Sequence, residues 1–178
     1  MTELAREYGD GLYALAVDEK IEQELLPQLK TLQRCFHEQP DFVRLLGNMS
    51  LSKDERVKIL DSALRGQIHP YLLNFLKILC ERGALGEYDG CLAAYKALYN
   101  QEHDVAEATV TTAVALDDGQ RERLIEKLAR MTGKTVELTE KVDAKVIGGV
   151  LLEMNGQRYD STLKNRLKSI HEAMLRDA

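Results

Sequence analysis

The chain is 178 residues long, enough for one domain or two small ones, and its 44% hydrophobic and 30% charged residues are typical of a globular protein. Its net charge is −5, and residues 1–104 hold 17 acidic against 12 basic side chains, which argues against a nucleic-acid-binding surface. No apolar run approaches the roughly 18 residues of a membrane-spanning helix, and the acidic N-terminus lacks a signal core and an Arg-rich transit pattern.

The first hundred residues carry helical periodicity almost throughout. Apolar residues spaced by three and four predict one face of a first helix at Leu4, Tyr8, Leu12 and Leu15. The same spacing predicts a second, longer helix at Ile21, Leu25, Leu29, Leu32 and Phe36. Pro40 suits the first turn of a short third helix that ends near Gly47.

Three further helices are predicted before residue 104. Ser52 and Glu55 form a capping box that opens the fourth helix, and Gly66 closes it. Pro70 opens the fifth helix, which is apolar nearly all round and is therefore expected at the centre of its bundle. The sixth helix is marked by Tyr88, Leu92, Tyr95 and Tyr99. Short connections between these helices predict a compact six-helix bundle.

The period of the sequence changes near His103. From Ala106 the chain alternates as a strand does, and one face holds Ala108, Val110, Thr112, Val114 and Leu116. Asp117 and Gln120 then open a helix with apolar positions at Leu124, Ile125, Leu128 and Met131. The boundary between the two parts is expected near residues 102–106.

Residues 136–155, VELTEKVDAKVIGGVLLEMN, predict a strand, a turn with Asp143, the pair Gly148-Gly149, and a second strand. Asn155-Gly156 favours a type I′ hairpin turn, after which residues 157–159 return as a fourth strand. A final helix is expected from about Ser161, with Leu163, Leu167, Ile170 and Met174 inward. The predicted class is α+β: a six-helix bundle over residues 1–104, then a small unit of about four strands and two helices over 105–178.

No catalytic, cofactor or metal site is predicted. The histidines, at positions 37, 69, 103 and 171, share no ligand spacing, so ordinary surface or packing roles are the better interpretation. Cys80 and Cys91 lie on consecutive helices and could approach, but buried, inert thiols are more frequent. Asp117 and Asp118 could form a carboxylate pair for acid–base chemistry, but their position before an amphipathic helix makes helix capping the better interpretation. A strand follows Gly148-Gly149 where a phosphate loop would need a helix, so these glycines are assigned to backbone geometry. Since no enzyme site is predicted, the sequence indicates a binding protein.

The 136–155 segment closely resembles the signature of the delta subunit of rotary ATP synthases, the oligomycin-sensitivity-conferral protein family. The matching places hold Val136, Leu138, Val142, Asp143, Val146, Gly148, Gly149, Val150, Leu152 and Glu153. Residues 8–16, 74–85, 106–116 and 159–163 also resemble the family. Gly9 and Gly11 stand where the family has alanine, and each should weaken the first helix by roughly 0.5–1 kcal/mol. Ser161 stands in a glycine place.

The resemblance implies a non-catalytic stator subunit without cofactors. In the family, the helical bundle grips the N-terminal segment of a catalytic-head alpha subunit, and the C-terminal part engages the stalk-forming b subunits. These contacts keep the head from turning with the rotor. No nucleic acid is expected as a partner. Membrane association would come only through the complex. The missing transit pattern favours the cytoplasmic face of a bacterial plasma membrane, and a processed organellar chain is the alternative.

The family uses the first and fifth helices for the alpha segment, so the candidate groove residues are Tyr8, Gly11, Asn74, Lys77 and Ile78. The alternative is that Tyr8 and Ile78 fill the core of the bundle. The final helix is locally basic, and the candidate stalk contacts are Arg158, Lys164 and Lys168. A solvated face is the alternative there. Rival functions are a helical adaptor or RNA-binding module, or an enzyme with a site between the two halves.

Overall fold

The computed structural model describes residues 1–48, 50–154, 157–162 and 165. This part of the chain contains seven α-helices and one four-stranded sheet, so the class is α+β. The chain divides into two compact units, Met1–Tyr99 and Asn100–Ala178. None of the helices in the described ranges is long and apolar enough to cross a membrane.

The helices of the first unit begin where local sequence signals place them. Ser52 and Glu55 form the predicted capping box at the start of the fourth helix, and Pro40 and Pro70 occupy the first turns of the third and fifth. The elements are α1 (Glu3–Asp18), α2 (Glu22–Glu38), α3 (Pro40–Leu46), α4 (Lys53–Leu64), α5 (Pro70–Glu81), a 3-10 turn (Leu85–Glu87) and α6 (Tyr88–Glu102).

Two tyrosine hydroxyls attach α6 to α2. Tyr88 donates to the carbonyl of Leu29 at 3.0 Å, and Tyr95 donates to the carbonyl of Glu22 at 3.0 Å. The two donors are seven residues apart on α6, and the two acceptors are seven residues apart on α2. Seven residues are close to two helical turns, so both bonds lie on the same side of each helix. Burial raises the pKa of both tyrosines, and each buried hydroxyl has its partner.

Small residues bring α1 and α6 close together. A Cβ built on Gly9 would lie 2.6 Å from the Cβ of Ala94 and closer still to the carbonyl oxygen of Cys91. A Cβ on Gly90 would lie 2.7 Å from the Cβ of Ala5. The glycine at position 9 therefore weakens the isolated helix but permits the packing, which alanine would obstruct.

The buried face of α1 differs from the predicted leucine stripe. Of Leu4, Tyr8, Leu12 and Leu15, only Leu12 is buried. The residues that α1 buries are Ala5, Gly9, Leu12, Tyr13 and Ala16. The close approach of α6 accounts for the small residues at positions 5 and 9, while Tyr13 packs edge-to-face against Tyr95 of α6, with ring centroids 5.1 Å apart.

The second unit is a four-stranded sheet with α7 packed against it. Its elements are β1 (Val105–Thr112), α7 (Asp118–Thr132), β2 (Thr135–Val142), β3 (Val150–Met154) and β4 (Gln157–Asp160). The strand order is β2-β1-β3-β4. Strands β1 and β2 are parallel, as a helical crossover between them allows, and the other pairs are antiparallel. The buried core residues are Ala106, Ala108, Leu128, Val136 and Met154.

Three predicted positions of this unit differ from the structure. Strand β1 ends at Thr112, whose Oγ1 donates to the carbonyl of Val114 at 2.7 Å, so Val114 and Leu116 lie beyond the strand, and Val114 is exposed. Met131, near the end of α7, is also exposed, so the packed face of the helix ends with Leu128 and the partly buried Ala129. The predicted turn at Asn155-Gly156 and the predicted final helix, with its apolar positions, lie outside the described residues.

Candidate partner-binding surfaces

Helix α1 carries an apolar stripe that the core of its unit does not bury. Leu4, Tyr8, Gly11 and Leu15 are spaced by four, three and four residues, so they share one side of the helix. Leu4 is 41% exposed and Leu15 is 38% exposed, and Tyr8 is half-buried against the core. A Cβ on Gly11 would meet no atom within 4 Å. The stripe is therefore accessible to a partner.

Helix α5 also leaves one strip outside. Its buried residues are Leu72, Leu73, Phe75, Leu76, Leu79 and Cys80. Ile78 is 45% exposed, and Asn74, one turn earlier, is exposed as well. Of the two residues for which core packing was the alternative, Ile78 lies outside the core and Tyr8 lies at its margin. Helix α5 is consequently buried on most sides but not all round.

Lys77, the remaining predicted groove residue on α5, is bound to α4. Its Nζ lies 2.5 Å from Oδ1 of Asp61, whose Oδ2 lies 2.5 Å from the guanidinium of Arg65. The hydrogen bonds from Lys77, and next from Arg65, lower the pKa of the Asp61 carboxyl. The charge of Lys77 is therefore compensated inside the unit, and the side chain connects two helices.

A hydrogen bond joins the two helices with accessible strips. The Tyr71 hydroxyl, in the first turn of α5, bonds to the carboxylate of Glu19, the residue that caps the C-terminal end of α1. This bond raises the pKa of Tyr71, because the nearby negative charge disfavours the phenolate. The C-terminal end of α1 thus lies beside the N-terminal end of α5.

The double glycine of the signature segment has a backbone role. Gly148 and Gly149 adopt φ of 65° and 85°, in the left-handed region that favours glycine. A Cβ on Gly149 would lie 2.5 Å from the carbonyl oxygen of Ser161, whose N–H donates to Val150 at 2.9 Å. Asp143 forms the turn before them, because its Oδ1 accepts from the N–H of Lys145 at 2.9 Å. Asn155 and Gly156 are outside the described residues.

Asp160 and Thr162 make polar contacts at the position where the sequence predicts the start of the final helix. Oδ1 of Asp160 accepts from the N–H of Thr162 at 3.0 Å, and Oγ1 of Thr162 accepts from the N–H of Asn165 at 3.3 Å. These are the side-chain to backbone bonds of a helix start.

One of the three residues predicted to contact the stalk, Arg158, is among the described residues. Arg158 lies on the exposed strand β4, opposite Glu153 on β3, with 4.0 Å between its Nε and the Oε1 of that residue. An exposed pair at this distance leaves the guanidinium accessible to another carboxylate. Lys164 and Lys168 lie outside the described residues.

The cysteines and the Asp117-Asp118 pair, which were considered as reactive groups, have structural roles. Cys80 and Cys91 are buried and unpaired, and burial raises the pKa of both thiols, that of Cys91 to about 11, so neither is an activated nucleophile. Asp117 accepts from the N–H of Gln120 at 2.7 Å and caps α7 as predicted. Among the described residues, no three His, Cys, Asp or Glu side chains are grouped to hold a metal ion.

Comparison with known proteins gives one consistent result. The family model for the ATP synthase delta (OSCP) subunit matches residues 4–174. ATP synthase subunit delta of Clostridium kluyveri is 31% identical over 173 residues, which are 97% of this chain and 96% of that protein. The Lactobacillus acidophilus protein of the same name is 31% identical over 97% of this chain and 95% of its own length. A chain of the Toxoplasma gondii mitochondrial ATP synthase hexamer has the same fold, with a TM-score of 0.77 over 98% of both chains at 17% identity.

Proposed function

The chain belongs to the ATP synthase delta (OSCP) subunit family, and on that basis we propose that helices α1–α6 form a bundle that holds the catalytic head. As a member of this family the protein is a non-catalytic subunit that links the head to the peripheral stalk. It thereby keeps the head from turning with the rotor, so that torque drives ATP synthesis. Residues 1–104 serve as the head-binding domain and residues 105–178 as the stalk-binding domain.

The partner of the first domain is the amphipathic N-terminal segment of an alpha subunit, which lays its apolar face between α1 and α5 as a helix in a groove. The accessible apolar side chains of Leu4, Leu15 and Ile78 carry this proposal. Gly11, with open space where a side chain would stand, admits the partner backbone closely.

The bond between Glu19 and Tyr71 supports the same groove. Counted along each helix from this contact at 1.5 Å per residue, Gly11 lies about 12 Å away on α1 and Ile78 about 10 Å away on α5. If the helices run side by side from this contact, the two residues face each other across the groove. Lys77 would then stabilise the α5 wall through Asp61 and make a smaller direct contribution to binding.

The partners of the second domain are the b subunits of the stalk. The exposed guanidinium of Arg158 supports a contact with acidic residues there, and Lys164 and Lys168 would extend the positive surface. The protein would lie at the cytoplasmic face of a bacterial plasma membrane, held there by the complex. If salt of several hundred millimolar leaves the affinity for the b subunits unchanged, charge does not guide this contact.

Isothermal titration of the full chain with a peptide of the alpha subunit N-terminal segment tests the proposal. We expect one-to-one binding with a nanomolar Kd, about −12 kcal/mol. Ile78→Asp should abolish it, because a carboxylate would face the apolar side of the partner. Leu45→Asp is the matched control, since Leu45 on α3 is similarly exposed at 43%. Unchanged affinity in folded Ile78→Asp protein would move the groove elsewhere, and no binding by the wild type would refute this role.

A further inference from the structure

A second concave surface lies in the first unit, on elements that the proposed groove does not use. It is a cavity of about 390 Å³ between the α2–α3 junction and the start of α6, open to solvent on one side. Its lining includes Phe36, His37, Val43, Arg44, Leu85 and Tyr88. This volume lies within the range of small-molecule sites.

The inner wall of the cavity is apolar. Phe36 and Tyr88 form an edge-to-face pair, with ring centroids 5.1 Å apart and an interplanar angle of 81°. Because the Tyr88 hydroxyl donates to the carbonyl of Leu29, the residue offers its ring and not a polar group to the cavity. Val43 and Leu85 complete the wall. An apolar body would therefore be favoured there over water.

The rim of the cavity carries a cation that can change its partner. Arg44 is 79% exposed, and its guanidinium binds Asp41, one turn away, at 3.1 Å, in a pair that solvent screens. The acid on the rim is already engaged. Oδ1 of Asp89 accepts from Gln33 at 2.9 Å, and its Oδ2 lies 2.9 Å from Nε2 of His37. The rim thus offers a ligand a guanidinium in preference to a carboxylate.

We propose that this cavity binds a small amphiphilic anion, with an aromatic or branched apolar body against Phe36 and Tyr88 and a carboxylate or sulfonate on Arg44. Guanidinium groups bind such anions through two parallel hydrogen bonds. The site lies on α2, α3, the 3-10 turn and α6, whereas the proposed head-binding groove lies on α1 and α5. The two proposals therefore stand or fall separately.

Gly86 on the cavity wall allows a direct test. A Cβ there would meet no atom within 4 Å, and its φ is outside the left-handed region, so the backbone accepts a leucine, which would add bulk to the cavity lining. The probe is 8-anilinonaphthalene-1-sulfonate, an aromatic sulfonate, titrated into the full chain by fluorescence. We expect saturable one-to-one binding with a micromolar Kd, a loss of roughly tenfold or more in Gly86→Leu, and a loss of roughly threefold to tenfold in Arg44→Gln.

Ser62→Leu is the matched control, because it adds an exposed leucine on α4 without changing charge, and it should bind as the wild type does. The probe should also raise the Tm of the wild type, as a ligand of the folded state does. Non-saturable binding, a lowered Tm, or affinity within twofold of wild type in Gly86→Leu would overturn the site. If Gly86→Leu does not fold, unchanged affinity of the probe for Arg44→Gln would overturn the site. Titration of Gly86→Leu with the alpha-subunit peptide should match the wild type.

Discussion

Lys77 on α5 and Asp61 on α4 are joined by an ion pair of 2.5 Å between Nζ and Oδ1, and both side chains are mostly shielded from solvent. Arg65 binds the other oxygen of Asp61 from a much more exposed position. The pair links two consecutive helices behind the strip that carries Asn74 and Ile78. Lys77 therefore supports the α5 wall of the proposed groove through its ion pair with Asp61.

Lys77→Met should lower the Tm of the full chain by roughly 2–4 °C, because it leaves the shielded carboxylate of Asp61 with one exposed partner. Arg65→Met is the matched control and should lower the Tm less, since its side chain is largely solvent-exposed. Melting followed by circular dichroism measures both. An equal loss in the two variants would show that the shielded contact has no special weight.

The Asp61 cluster predicts a pH dependence of stability. Because the folded-state pKa of Asp61 is lowered, its contribution is fully present above the unfolded-state value of about 3.9 and is lost as the pH falls through the folded value. The urea midpoint of wild type should exceed that of Asp61→Asn by a constant margin from pH 7 to about pH 5. The margin should shrink below about pH 4. A margin that persists to the lowest pH would assign the effect to packing.

The two glycines of α1 should respond oppositely to alanine. Gly9→Ala should destabilise the protein by about 1–3 kcal/mol, because its Cβ would overlap Cys91 and Ala94 on α6. Gly11→Ala should stabilise it by about 0.5–1 kcal/mol, since the Cβ meets open space and helix propensity improves. Urea denaturation compares the two directly. Stabilisation by both changes would contradict the close approach of α1 and α6 at Gly9.

The double glycine of the second unit should be intolerant at its second position. Gly149→Ala combines a φ of 85° with a Cβ 2.5 Å from the Ser161 carbonyl, so we expect a loss on the order of 2–3 kcal/mol. Gly133→Ala is the control, because its φ of 69° is similarly left-handed but its surroundings are open, and it should cost about 1 kcal/mol. Denaturant unfolding of the full chain measures both. Equal losses would assign the effect to φ alone.

Local chemistry accounts for the elements that the sequence predicted correctly. The capping boxes at Ser52 and Asp117 and the prolines at 40 and 70 act within one turn of the backbone, so their effect is legible without knowledge of distant residues. The same holds for the left-handed glycines between β2 and β3. Strand alternation in β1 was correct up to Thr112, where a side-chain bond to the backbone turns the chain.

The sequence by itself determined the class, the order of the described elements and the family, because these rest on local backbone preferences and on a spaced signature. Only the tertiary structure decided which side of each helix remains accessible. Helix α5 is apolar nearly all round, and its periodicity is compatible with several buried faces. The choice depended on contacts far along the chain: the close approach of Gly9 to α6 accompanies the exposure of Leu4 and Leu15, and Asp61 binds Lys77 from α4. Such packing is a property of shapes in three dimensions, which a one-dimensional period does not specify.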